Sequence, residues 1–186
     1  MKMQINRCAW AGNDPLYVAY HDTEWGKPIH DDRLLFEFLI LEGMQAGLSW
    51  ITILKKREAF RAAFENFEPE MVAGFDQARI EELMQNSAIV RNRRKIEAAV
   101  KNARHFLEIQ KKFGSFDKFI WSYVDGEPIV NHPKTSADVP ATSELSDRIS
   151  RDLKKLGFSF VGSTIIYSFM QATGMVNDHI DDCDFK

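Results

Sequence analysis

Four residues near the two ends of the chain have the types and spacings of a metal site. Cys8 and His21 are separated by twelve residues, His179 and Cys183 by three. Together they offer two thiolates and two imidazoles, the donor set of a tetrahedral zinc with no position left for water, so such a metal would be structural and would tie the N-terminal segment to the C-terminal one. On a helix His179 and Cys183 would share one face. The alternatives are that the two cysteines are small buried hydrophobes or form one disulfide. The chemistry must then lie elsewhere. Glu42 interrupts the apolar run Leu39, Ile40, Leu41 and Gly43, where an unpaired charge is costly; the alternative is a helix-end carboxylate in contact with solvent. Trp10, Tyr17, Tyr20 and Trp50 offer flat faces, although each alone suits a core equally well. Finally, the stretch Leu156 to Thr164 sets Gly157 and Gly162 about a short apolar turn. Glycine permits the tight backbone and leaves amides exposed at the next helix N-terminus, which suits a phosphate.

The elements that must position these groups read as helices almost throughout. Asp14-Pro15 opens one carrying Leu16, Tyr17, Tyr20 and His21; Asp31 or Asp32 opens a second, ending near Gly43; Ser49 caps a third. Pro69 and Asp76 start two more. A long basic helix follows from Asn92 to Phe113 with Ile96, Val100, Ala103, Phe106 and Ile109 as its buried stripe, then another from Ser115. Residues 125–142, with Gly126, Pro128, Pro133 and Pro140, form the longest loop, either functional or a plain surface excursion. Helix resumes from Ser143 to Leu156. No strand alternation, internal repeat or low-complexity tract is evident, and the class is all-α.

With 186 residues, 45% of them hydrophobic, the chain can form one compact domain with a core of its own or two small lobes sharing a boundary; a single domain over residues 1–186 is expected, with a lobe of the N- and C-terminal segments and a central lobe bearing the hairpin. Two cysteines and a polar start, Met1 to Arg7, point to a reducing, cytoplasmic setting, and no apolar run approaches the ~20 residues needed to span a bilayer. The net charge of −3 argues weakly against nucleic acid, but basic clusters run against the average: Lys55, Lys56, Arg57 and Arg61; Arg91, Arg93, Arg94 and Lys95; Lys154 and Lys155. His30, His105 and His132 have no partner pattern and read as surface residues.

The hairpin, followed by Gly174 and Val176-Asn177-Asp178-His179, resembles the helix-hairpin-helix DNA glycosylases. One branch, the 3-methyladenine DNA glycosylase I family, is similar over nearly the whole chain. The resemblance rests on Cys8-Ala9-Trp10, Asp14-Pro15-Leu16-Tyr17, Tyr20-His21-Asp22, Glu24-Trp25-Gly26, Leu41-Glu42-Gly43, Gln45-Ala46-Gly47-Leu48-Ser49-Trp50, Leu54-Lys55-Lys56-Arg57, Phe160-Val161-Gly162, Tyr167-Ser168-Phe169-Met170-Gln171-Ala172 and Val176-Asn177-Asp178-His179. It implies one structural zinc on Cys8, His21, His179 and Cys183. It implies an excised base stacked on Trp50 within Trp10, Tyr17 and Tyr20, its exocyclic amine on Glu42. Gln45 and Leu48 would fill the duplex gap, and Gly157, Gly162, Ser163 and Thr164 would grip the DNA strand. The superfamily's catalytic aspartate falls on Asn177, which cannot ionise, and Ser163-Thr164 replace the lysine of lyase members, so strand cleavage is not expected. A base that is already cationic leaves neutral without an acid's help, which fits such a site. The expectation is therefore a monomeric, monofunctional glycosylase flipping and excising 3-methyladenine from double-stranded DNA. Two rival readings are a non-catalytic protein for damaged DNA and a zinc-stapled interaction module without nucleic-acid affinity.

Overall fold

The computed structural model describes residues 5–186. Its centre is α2 (Asp32–Gln45), in which every residue from Leu35 to Met44 is buried. A helix buried on all sides must be wrapped on all sides. The wrapping is done by α3 (Trp50–Ala63), α6 (Arg93–Phe113), α7 (Phe116–Trp121) and α9 (Ser163–Ala172). The first helix, α1 (Pro15–Thr23), lies on α3, while α4 (Pro69–Ala73) and α5 (Gln77–Gln85) pack on α6. An aromatic cluster of Phe36, Phe64, Phe67, Phe106 and Phe116, each fully buried, fills the space between these layers.

Most helices start at the residues expected. Asp14, Asp31, Asp76, Asn92 and Ser115 each accept a backbone N–H of the first turn with their side chains. Ser143 and Ser146 form a reciprocal cap on α8 (Glu144–Lys155). Ser49 stands at the cap position of α3 but its hydroxyl pairs with Thr52 Oγ1 at 2.7 Å instead. Gly43 does not stop α2, which runs two residues further; a Cβ there would sit 3.3 Å from Phe160 Cβ, so this glycine serves close packing against the hairpin.

The α8–α9 turn is the hairpin read from the sequence. Gly157, at φ +94°, ends α8 in a Schellman motif: its amide donates to Lys154 O and that of Phe158 to Leu153 O. The long loop carries β1 (Ile129–Val130), which pairs in parallel with β2 (Val176–Asn177). Among the described residues these two-residue strands are the one addition to an otherwise all-α fold. The segment after β2 corrects an expectation, because residues 178–186 contain no helix. The Asp181 N–H is taken by Pro133 O at 2.9 Å, so the segment is docked on the long loop as a turn. Asn6 and Asp184 then join the ends by backbone and side-chain hydrogen bonds. No helix of the described residues is long and apolar enough to cross a membrane.

Candidate active site

Two acidic residues are buried on α2, and they are treated in opposite ways. Glu37 is held by Arg33 at 3.2 Å and by two bonds from Arg61, at 2.7 and 3.0 Å. Glu42 has no cationic partner among the described residues, and its Oε2 has no hydrogen-bond partner at all. Burial alone pushes its carboxyl up to about 8, so in the free protein it is held largely neutral near pH 7 rather than as the expected anion. Buried polar groups are nearly always satisfied. Among the described residues three buried side-chain atoms are not: Glu42 Oε2, Trp50 Nε1 and His179 Nε2.

Glu42 and Trp50 line a cavity of about 320 Å³ together with Trp10, Tyr17, Tyr20 and Trp25. The last turn of α2 supplies Glu42 and Gln45, the first residue of α3 supplies Trp50, and α1 presents Tyr17 and Tyr20 three residues apart on one face. Trp10 packs against Tyr17 at 5.1 Å and Trp25 at 4.8 Å, and Tyr20 packs against Trp50 at 5.5 Å, centroid to centroid. Burial first and the nearby Glu42 second raise both phenols, which therefore remain neutral. All five expected pocket residues thus meet in one place. A cavity of this size with aromatic walls and a few unpaired polar atoms suits a flat heterocycle.

Sequence reading misses the opposite wall, made by Ser136 and Val139 of the long loop and by Ser168 and Gln171 of α9. Ser168 and Gln171 carry a signal that would have found them: two polar residues at i, i+3 on the apolar helix Ile165 to Ala172. The loop residues carry none.

Gln45 and Leu48 line a second, smaller groove with Thr164 and Ile165, of about 180 Å³, which shares Glu42, Gln45 and Ser168 with the first. Leu48 is exposed at its rim. Gly162 is the N-cap residue of α9, with open space where a Cβ would stand and no side-chain cap over the helix amides. Ser163 differs from expectation in that its hydroxyl is engaged with Ser146 at 2.8 Å. Of the basic clusters, Arg57 is paired with Glu24, Arg61 with Glu37, Arg93 with Glu81, and Lys56 reaches Ala88 O. Lys95 is buried, its ammonium donating to Met44 O and Ala46 O at 2.8 and 2.6 Å, so it does not belong to the basic surface that the sequence pattern suggests. Arg91, Lys154 and Lys155 remain exposed, as does Arg94. The three histidines without a pattern each pair with a carboxylate: His30 with Asp117, His105 with Glu108, His132 with Asp181.

Behind Trp10 stand the candidate metal ligands. The ligand atoms of Cys8, His21 and Cys183, all buried, lie within 4.8 Å of one another, and both thiols are free. His21 Nε2 is 3.6 Å from Cys183 Sγ, matching the roughly 3.6 Å edge of a tetrahedron with Zn–S about 2.3 Å and Zn–N about 2.0–2.1 Å. His21 Nδ1 is bonded to Asp22 at 2.8 Å, which leaves Nε2 as the lone-pair nitrogen. His179 stands beside this trio, its ring 4.9 Å from that of His21. The Asn177 Oδ1 accepts from both the His179 amide and Nδ1, at 3.1 and 2.8 Å, so Nε2 is again the bare nitrogen, buried and unpartnered. Burial and the nearby His21 pull His179 down to about 4, keeping it neutral as a ligand must be. His179 lies outside the close group of three, and its bare Nε2 makes it the candidate fourth donor; the chemistry of this donor set, two thiols and two imidazoles, suits zinc.

That geometry also revises Asn177. It orients His179 instead of facing the cavity, whose lining does not include it. Its neighbour Asp178 is buried and saturated by Asn131, Tyr167 and Gln171 at 2.7, 2.8 and 2.8 Å.

Comparison with known proteins bears on this arrangement as a whole. A family profile described as methyladenine glycosylase matches residues 10–186. The chain is 50% identical to DNA-3-methyladenine glycosylase 1 of Escherichia coli (strain K12), over 96% of both chains. Among solved structures it is similar to a crystal structure of 3-methyladenine DNA glycosylase I, with TM-score 0.94 and 51% identity over 96% of this chain and 98% of that one. It is likewise similar to a variant of 3-methyladenine DNA glycosylase I in complex with 3-methyladenine, with TM-score 0.95 and 43% identity over 98% of each chain.

Proposed function

This chain belongs to the methyladenine glycosylase family, and we propose that it is a monofunctional DNA glycosylase that excises 3-methyladenine from alkylated double-stranded DNA by hydrolysing the N-glycosidic bond, a step of base excision repair. The observation that carries the reading is Glu42: a buried carboxyl left without a partner in an aromatic cavity, on the same helix where Glu37 is fully paired.

The lesion nucleoside carries a positive ring charge, so its glycosidic bond is weak and the base departs neutral. The protein's task is to extract the nucleotide, recognise the base and exclude alternatives. Trp50, with Tyr17, Tyr20 and Trp10 around it, supplies the stacking surface, worth about 1–3 kcal/mol per base. A cation entering the cavity favours loss of the Glu42 proton, and the resulting carboxylate accepts the exocyclic amine. A neutral adenine gives no such return for ionising a buried carboxyl, and this is the source of selectivity. Leu48 and Gln45, at the rim next to the cavity, take the place of the extruded base and offset part of its unstacking. The amides of Gly162, Ser163 and Thr164 at the start of α9, set by Gly157, receive a backbone phosphate in the manner of a helix-hairpin-helix protein.

In this reading one zinc is held by Cys8, His21, His179 and Cys183, and when bound it supplies cross-linking rather than chemistry. The chain is one domain over residues 1–186, with a zinc-linked lobe and a hairpin-bearing lobe, acting as a cytoplasmic monomer. The supports are the contacts of α2 with α3, α6, α7 and α9, which leave one continuous core, and the two free thiols. The test is to incubate the protein with methylated duplex DNA and identify the released base. Free 3-methyladenine without strand scission is expected; no base release sinks the assignment.

A further inference from the structure

Lys95 and Asn102 lie on α6, two turns apart, and each is spent on the backbone of a different DNA-facing element. Lys95 is 7% exposed and has no carboxylate partner among the described residues; its ammonium closes the C-terminal carbonyls of α2 at Met44 and Ala46, within the turn that presents Gln45 and Leu48. A cation at a helix C-terminus meets the negative end of the helix dipole, which compensates its burial. Asn102, 3% exposed, grips the hairpin by both ends of one residue: Nδ2 donates to Ser159 O and Oδ1 accepts from Ser159 N, each at 2.9 Å. The next residue, Phe160, has φ +56°, a left-handed conformation that is unfavourable for a side-chain-bearing residue and persists only where the surroundings impose it. Phe160 in turn packs on Gly43 of α2.

We propose that Lys95 and Asn102 are positioning residues that lock the Gln45–Leu48 turn and the 157–162 hairpin at a fixed separation along α6, so that gap filling and strand gripping act on DNA as one rigid unit. Seven residues of helix set that spacing at roughly 10.5 Å. Neither side chain touches DNA in this arrangement. The proposal rests on the glycosylase reading, and the test separates the two.

The full-length wild type, Lys95→Met and Asn102→Asp are compared for binding to a duplex containing a tetrahydrofuran abasic-site analogue across a salt series, and for binding to free 3-methyladenine. Met keeps the apolar stem of Lys95 without its donors; Asp keeps the shape of Asn102 but turns an acceptor on Ser159 O. Both variants are expected to lose about ten- to a hundredfold in duplex affinity, the usual scale for sub-ångström to ångström misplacement. Affinity for the free base should fall much less than duplex affinity, because Gln45 is the one residue of the 45–48 turn among those lining the cavity. The slope of log K against log salt should not change. A slope reduced by about one unit in Lys95→Met shows a direct phosphate contact and overturns the assignment. Parallel loss of base affinity, marking general destabilisation, or unchanged duplex affinity overturns it too. If Lys95→Met does not fold, Asn102→Asp carries the same comparison. A wild type that releases no 3-methyladenine from methylated DNA defeats the functional reading itself, whereas an active wild type with variants of unaltered duplex affinity defeats only the positioning role.

Discussion

At the scale of single residues, the contrast between Glu37 and Glu42 decides what the site can do. Both are buried acids five positions apart, and only the second has an oxygen without a hydrogen-bond partner. Its carboxyl is raised from 4.5 to about 8 by burial, so between those values the folded state holds a proton that the unfolded chain has released. Stability therefore falls as pH rises through that window. Glu42→Gln should flatten this limb in thermal melts between about pH 5 and 8. The same group predicts the pH course of catalysis. If the ionised form receives the lesion, single-turnover excision with enzyme in excess of DNA but below saturation should rise with pH toward an apparent pKa near 8. In Glu42→Gln that rise should vanish, with a rate lower by about ten- to 150-fold, the equivalent of ~1.5–3 kcal/mol for a hydrogen bond to a charged group; a variant keeping full rate and profile would move recognition elsewhere. Asn177 gives a second residue-scale expectation. Because it fixes His179, Asn177→Ala should weaken zinc retention by about 10–100-fold, as loss of a partner behind a metal ligand does, read by competition with a chelator. Glu42 is legible in the sequence because a charge breaks an apolar run. The role of Asn177 is not, because a local two-residue hydrogen bond leaves no periodic trace.

At the scale of elements, the hairpin and the long loop differ in how openly they announce themselves. The hairpin carries glycine where the backbone demands it: Gly157 is left-handed and a Cβ there would meet the His105 ring at 2.5 Å. Gly157→Ala is expected to destabilise the protein by more than the ~1 kcal/mol typical of glycine replacement at positive φ, and to weaken DNA binding more than base binding; a melting temperature equal to wild type would contradict this. Lys154 and Lys155 stay exposed at the end of α8 beside that turn. Reversing both charges should reduce the salt slope of DNA binding by about one unit for each phosphate no longer neutralised, and an unaltered slope would take this end of α8 out of the interface. Helix starts are legible because aspartate, asparagine and serine caps act within three residues. The end of α2 is not legible at Gly43, since a packing glycine and a terminating glycine look alike until the neighbour, Phe160, is in view. His179 and Cys183 have helical spacing without a helix, because the Asp181 N–H donates instead to Pro133 O, distant in sequence. Ser136 and Val139 reach the cavity for the same kind of reason: tertiary pairing of β1 with β2 brings them there, and no local pattern encodes it.

At the scale of the whole molecule, the first and last described segments meet behind the pocket. Cys8, His21 and Cys183 are gathered there with His179 alongside, and Trp10 packs on His21 at 5.1 Å while also lining the cavity. Cys183→Ala should lower zinc content below one per chain and reduce the melting temperature, with a smaller loss than the ~10–16 kcal/mol apparent for zinc-dependent peptides, since this fold has a core of its own. Metal analysis of wild type purified without chelator checks the premise, and its failure would remove zinc from the account. The spacing of cysteine and histidine at each end makes this closure readable without any three-dimensional information. The same closure sets an order of events during synthesis. His21 and Cys183 are 162 positions apart, so at ~5–20 residues per second the first half of the metal site waits roughly 8–32 s on the ribosome for the second. Throughout that interval the wall bearing Trp10, Tyr17 and Tyr20 exists without its closing strap. A nascent chain that stops short of residue 179 carries Trp10, Tyr17 and Tyr20 with Cys8 and His21 but neither His179 nor Cys183, so an ion that needs all four donors would be retained only once translation has passed Cys183.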